Sequence, residues 1–463
     1  MLMPTNLEAA ATDSPAPKPQ RRRWRRRCAW LLAPLVLLAA LGWFYARDES
    51  PPDDEGMRPH IAAVPLAENG LLQLLKSHDQ SLDFDDFVEK HGDQSDLIDA
   101  QSGTFHHDAL ADDFLAQAGS ALTPLDAILA LPHFEYTPKA GDPMGVVQIG
   151  WLLEAAETLR LRATRREQTG DLTGATADVL RLRRLAARSS EAHLNLILWF
   201  CFRTVDAMAD AQCVHLLNDP RLRSDEVSVL AAAWSKELPW AEMFRRSLSR
   251  EYQGLSICLG QLKSGDLQFP REITLLPRGG LSDDAYYITG LAGDWIRFTL
   301  KPNATRRLAL DYFRSWDEAM DIPFRAAVFP DFDRKFFSRK VEIATYVYPN
   351  FGGRYFLAVM LPRANVANQI YFQLADDRLA QIGLALRRYH DDNRTLPSNL
   401  ETLVPKYLPE VPMDPFNGQP LRYTAAKGSV SSVGTGSPIH DDDPFTDEAA
   451  PTLTLTFPKA IAP

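Results

Sequence analysis

The chain has 463 residues, 45% of them hydrophobic and 24% charged. That balance belongs to a folded protein with room for two or three domains and excludes a disordered one. The net charge of −10 is uneven: residues 1–27 carry Lys18 and six arginines against Glu8 and Asp13, a net +5, which leaves −15 on the rest. Nucleic-acid phosphates call for a basic footprint, so this acidic remainder argues against a nucleic-acid partner.

Residues 28–46 contain no charged side chain. As a helix they reach about 28 Å, close to the hydrocarbon thickness of a bilayer. Trp30 stands near one end and Trp43 and Tyr45 near the other, where amphipathic rings settle at an interface. Arginines precede the run and Asp48, Glu49, Asp53, Asp54 and Glu55 follow it. The positive-inside rule then keeps 1–27 in the cytoplasm and exports everything after 46. A cleaved signal peptide ending at Ala40-Leu-Gly42 is the competing reading, but the apolar run continues past that site. The expectation is a basic cytoplasmic tail (1–27), a single transmembrane helix (28–46) and a proline-rich acidic linker (47–62) acting as a tether.

From 63 to 357 the pattern predicts an exported helical domain. Trp151–Arg166 gives one helix, and Leu172, Ala175, Val179, Leu182 and Ala186 give the apolar face of the next. Between them Gly170 suits a helix exit and Asp171 an N-cap. A third helix follows Ser189-Ser190, with Leu194, Ile197, Cys201, Val205 and Met208 predicted as its inner face at the centre of the core. Further helices are predicted near 224–236, 240–263 and 303–319. Residues 264–302, with Pro270, Pro277, Gly279, Gly280 and Gly293, predict a long irregular excursion. Cys201, Cys213 and Cys258 fall in this domain and allow at most one disulfide.

Signatures of catalysis are absent from the sequence: there is no His-Glu-x-x-His, no phosphate-binding glycine loop and no nucleophile elbow. No catalytic residue is nominated. His106-His107-Asp108 offers two or three metal ligands but reads as solvated surface. Asp206 and Asp210, one helical turn apart, suit paired-carboxylate chemistry. With Arg203 in register, they read instead as a surface charge network. Residues 160–188 hold eight arginines against three acids, which reads as two solvated helix backs or, functionally, a dock for an acidic partner or lipid headgroups.

In the last hundred residues Ala375, Leu379, Ile382, Leu386 and Tyr389 mark a helical stripe that must be covered. The helix should end near Asp391-Asp-Asn393. Prolines 405, 409, 412 and 415 keep the next stretch extended. A strand is predicted from Leu421, a turn at Ala426-Lys-Gly428, a second strand at 429–433, and a last one where Leu453, Leu455 and Phe457 alternate with threonines. The order Leu386…Tyr389, Asp392-Asn393, Pro397, Leu400, Leu403, Pro405, Tyr407-Leu408, Val411-Pro412, Asp414-Pro415, Gly418, Pro420 and Tyr423 resembles the globular domain of type II secretion major pseudopilins, over about 358–463.

That resemblance implies a long helix, a small antiparallel sheet and a calcium-binding loop. The loop corresponds to 434–448, with Asp441, Asp442, Asp443, Asp447 and Glu448 as the oxygen ligands of a calcium ion. The family's methylated apolar N-terminus has no counterpart here, and its usual glycine after Asp-Asn is Arg394. The predicted fold class is mainly α with a small α+β C-terminal domain. The function expected is a non-enzymatic, single-pass component of the bacterial inner membrane, its bulk periplasmic, serving a secretion-type assembly with envelope proteins as partners. The alternative is a membrane-tethered enzyme or ligand-binding protein with its site in the helical domain, near 264–302.

Overall fold

The computed structural model describes residues 21–59, 61, 63–76, 108–119, 122–136, 150–267, 290–330, 332, 348–362, 366–435 and 450–455. In chain order its helices are α1 (Arg21–Ala46), α2 (Gly70–Lys76), α3 (Asp108–Ala118), α4 (Leu125–Leu129), α5 (Gly150–Thr169), α6 (Leu172–Arg188), α7 (Leu196–Leu217), α8 (Ser224–Ala233), α9 (Trp240–Ser264), α10 (Gly290–Thr299), α11 (Pro302–Met320), α12 (Phe351–Met360) and α13 (Val366–Asn393). The strands are β1 (Arg422–Thr424), β2 (Ser429–Ser431) and β3 (Thr452–Thr454), antiparallel and ordered β1-β2-β3. The protein is mainly α with one small sheet.

The α5–α6 hairpin forms as its sequence predicts. Gly170 takes a left-handed φ of 89° at the exit, and the Asp171 carboxylate accepts the Gly174 amide at 2.9 Å as N-cap of α6. Leu172, Ala175, Val179, Leu182 and Ala186 are all buried. The next helix, α7, is central, packing on α5, α6, α9 and α13. Its inner face differs from the predicted one. Asn195 caps it, Leu194 lies before its first turn, and Ile197 is exposed. The predicted Leu194, Cys201 and Val205 are buried, and Leu198, Trp199, Phe202, Ala209 and Cys213 extend the buried surface beyond the predicted stripe. Four neighbouring helices bury so much of α7 that a single apolar stripe could not fix its rotation. Cys201, Cys213 and Cys258 are buried and form no disulfide among the described residues; burial pushes the Cys201 thiol up to about 11 and the Cys213 thiol higher still.

One apolar cluster runs from Leu71 to Leu455, so residues on both sides of position 357 share a core. The seam is α13. Its predicted stripe is buried from Ala375 to Leu386, but so is its opposite side, where Gln373, Asp377 and Arg387 face inward. It touches α7, α8 and α9 as well as β2 and β3. Gly383 marks the tightest point: a Cβ there would stand 2.8 Å from Leu453 and 3.3 Å from Leu217. Arg387 fastens the seam by donating to the carbonyls of Leu217, Asp219 and Leu222 at 2.7, 3.1 and 2.9 Å, which satisfies acceptors at the end of α7. The left-handed residue beyond α13 is Arg394, at φ 59°, where the pseudopilin pattern has glycine.

The linker is not a free tether. The Asp48 carboxylate accepts the amides of Asn303 and Ala304 at 2.8 and 3.2 Å, capping α11. Asp54 is buried, accepting from Tyr252 Oη at 2.6 Å and Arg58 at 3.0 Å and pairing with Arg306. Within the predicted excursion, 290–299 is helical as α10, packed on α1 and α12. Among the described residues no helix is long and apolar enough to cross a membrane. The side chains of α1 are described from Ala33 onward, and its large hydrophobic residues from Leu35 to Phe44 are exposed.

Candidate functional site: a buried arginine and carboxylate cluster

Asp206 and Asp210 project from α7 into the interior and not onto the surface. There they meet Asp377 and Gln373 from α13 and Arg183 from α6. Trp234 at the end of α8 and Trp240 at the start of α9 close the site. No member is more than 3% exposed. Spacing explains each arrival: 206 and 210 are one helical turn apart, as are 373 and 377, so each pair shares a face.

The geometry is a ring of acceptors around one guanidinium. Arg183 Nη1 donates to Asp206 Oδ1 at 2.6 Å and stands 2.7 Å from Asp377 Oδ1, a charge contact without hydrogen-bond alignment. Asp210 Oδ1 is 4.0 Å away. Arg183 Nη2 donates to the Lys236 carbonyl at 3.3 Å, and its Cζ lies 5.0 Å from the centre of the Trp234 ring. Trp240 Nε1 donates to Asp206 at 3.1 Å and Trp234 Nε1 to Asp210 at 2.7 Å. Gln373 Nε2 bridges Asp206 and Asp210 at 3.1 and 2.8 Å. The Leu238 amide donates to Asp377 Oδ2 at 3.3 Å.

Three carboxylates thus face one cation in a dry site. Burial is the largest influence on each acid and favours its neutral form. It raises the Asp206 pKa, against the pull of Arg183. It raises Asp210 further, helped by the charges of Asp377 and Asp206. Burial and then Asp206 push Asp377 up to about 8. Burial also works against the Arg183 charge, but the three carboxylates outweigh it and its pKa rises. Each of the three acids is thereby biased toward its neutral form.

The alternative way to balance it is a metal ion, since oxygens of the three acids lie within 4.8 Å of one another. Hard cations take six to eight oxygens, however, and Arg183 Nη1 already sits against two of the three acids. The guanidinium is the cation of this site. Sequence reasoning noticed Asp206 and Asp210 but paired them with Arg203, which exerts only a weaker attraction on Asp206. Trp234 and Trp240, whose indole N–H groups need buried acceptors, were the available signal.

The arginine-rich hairpin is likewise drawn into the fold. The buried Asp178 accepts from Arg162 at 2.8 and 2.6 Å, Arg166 at 2.8 Å and Arg181 at 2.9 Å. Arg165 pairs with Asp112, Arg181 also with Asp126, Arg160 with Glu157 and Arg188 with Glu191. Arg184 is exposed. Most of the predicted basic face is neutralised by acids of α3, α4, α6 and neighbouring turns.

The segment from Tyr389 to Gly434 forms a structured surface. Tyr407 donates to Asp392 at 2.7 Å and packs its ring 5.5 Å from Tyr389. The buried Asp414 accepts from the Phe416 amide, Ser432 Oγ and the Val433 amide at 3.0, 3.0 and 2.7 Å, which knits the proline turn to the sheet. The amides of Phe324 and Arg325 donate to the carbonyls of Pro415 and Phe416 at 3.1 and 2.9 Å, docking this turn on the helical body. The proposed calcium ligands Asp441, Asp442, Asp443, Asp447 and Glu448 lie outside the described residues, as do His106 and His107 and most of 264–289. No family model, curated protein or solved structure matches the chain.

Proposed function

We propose that this chain is a membrane-anchored, non-catalytic component of an envelope assembly that presents a pseudopilin-like head above a bacterial inner membrane. The observation carrying this reading is the apolar helix α1. Leu35, Val36, Leu37, Leu38, Trp43 and Phe44 are each 50–66% exposed on one continuous helix, and the sequence stays apolar back to Cys28. A contiguous apolar surface of that size requires cover, which a bilayer supplies.

The interior supports a scaffold over an enzyme. The most unusual set of charged groups is sealed from solvent and clamps α13 to α6, α7 and the α8–α9 connection. The long helix of the head is covered on both faces by its own chain, so that helix has no free side to pack into a filament. Envelope partners would meet the outer surface around Tyr407 and Met413, and the acidic loop 434–448 would take calcium as the pseudopilin resemblance implies.

The test is extraction and crosslinking of the full chain from bacterial membranes. The protein should resist alkaline carbonate extraction, and a photocrosslinker at exposed Met413 should capture secretion or envelope proteins. Release by carbonate refutes the anchor; a head that crosslinks to no envelope protein refutes the assembly role.

A further inference from the structure

Aromatic side chains gather where the C-terminal end of α1 meets α10. Tyr45 lies 6.0 Å, ring to ring, from Trp295 of α10, and Trp295 lies 5.7 Å from Phe298. The inner side of α10 is held by Ile296 against Phe351, Tyr355 and Ala358 of α12. Its outer side leaves Phe298 43% exposed, alongside exposed Arg297. Phe44 extends the same aromatic group, 5.8 Å from Tyr45 and beneath Lys301 at 5.1 Å, while Trp43 lies beneath Arg47 at 4.8 Å.

Basic side chains gather beside these rings. Asp48 is occupied in capping α11, and Glu49 pairs with Arg307. Arg47, Arg297, Lys301 and the half-buried Lys263 stand here, against Asp48 and the exposed Asp266 and Asp294. Lys263 and Lys301 donate to the carbonyls of Leu300 and Phe44 at 2.7 and 3.0 Å, which fixes their stems beside the aromatic rings. Aromatic rings with cations beside them are the side chains that settle at the headgroup layer.

Resting on the anchor reading, we propose that α10 is an interfacial foot, lying in the headgroup layer of anionic phospholipid next to the exit of α1. Together with the docked linker, the foot fixes the tilt of the body above the membrane. A flexible tether would leave that orientation free.

The test uses the full chain in vesicles of phosphatidylethanolamine and phosphatidylglycerol. Nitroxide labels are placed at Leu37→Cys, Phe298→Cys or the exposed Val229→Cys of α8, in a Cys28→Ser background whose other cysteines are buried. Collisions with oxygen, which concentrates in lipid, are compared with those of a water-soluble nickel chelate. The oxygen-to-nickel ratio should exceed one at 37 and 298 and fall below one at 229. A lipid-like ratio at 37 with a water-like ratio at 298 overturns the foot and leaves the anchor standing. Shielding of 298 from both reagents would mean a protein occupant and also overturns it. Water-like ratios at both 37 and 298 refute the anchor itself.

Discussion

Replacing Arg183 by methionine keeps an unbranched stem among Trp234 and α7 but removes the cation that, among the described residues, faces Asp206, Asp210 and Asp377 at close range. To stay buried, at least one more carboxyl must take up a proton. At pH 7 an unfolded aspartate with a pKa of about 3.9 resists this by roughly 3 units, or about 4 kcal/mol. Breaking a buried ion pair from one side has a similar cost, about 3–5 kcal/mol. The loss should shrink as acid supplies the proton, to about 1.5 kcal/mol at pH 5, where only about 1.1 units remain. Urea denaturation of the full chain in detergent, followed by helical circular dichroism, measures both values. A deficit under about 1 kcal/mol at pH 7, or one equal at pH 5 and pH 7, would show that the cluster is not held by this charge.

The intact protein should itself lose stability as pH rises from about 4 to about 8. Because the folded pKa of Asp377 is raised from 3.8 to about 8, its contribution is complete below the lower value and lost as pH rises through the upper one, and Asp377→Asn should flatten that slope. Asp178→Asn leaves Arg162, Arg166 and Arg181 without a full counter-charge, so it should destabilise by about 2–3 kcal/mol in the same denaturation assay; a neutral outcome would mean that the three arginines hold the hairpin no better than solvent does. Arg394→Gly should stabilise by about 1 kcal/mol, because glycine takes the left-handed conformation without a Cβ clash, and a fall in melting temperature would contradict that geometry. Asp54→Ala removes bonds to Tyr252, Arg58 and Arg306, a loss of about 2 kcal/mol that should speed proteolysis of 47–59 roughly 30-fold; an unchanged rate would mean that the linker is already free.

Local chemistry was legible where a residue's neighbours in sequence decide its state. Gly170 and Asp171 set the α5–α6 turn, the 172–186 stripe set the buried face of α6, and alternation set Leu453 and Leu455 inward on β3. The helix running to Asn393 and the three short strands follow from the same periodicities. Periodicity failed on α7 and α13, because both helices are covered on more than one side. A polar residue on such a helix looks solvated until its partner arrives from elsewhere in the chain.

The sequence by itself determined the periods, the caps and the charge asymmetry between residues 1–27 and the rest. Tertiary structure alone decided that Arg183, 23 residues before Asp206 and 194 before Asp377, would be the shared cation of both. It also decided that Asp48 and Asp54 would pin the linker to α9 and α11. Electrostatic and hydrogen-bond partners are chosen by distance in space, and folding brings remote residues together at a cost that grows only slowly with their separation along the chain.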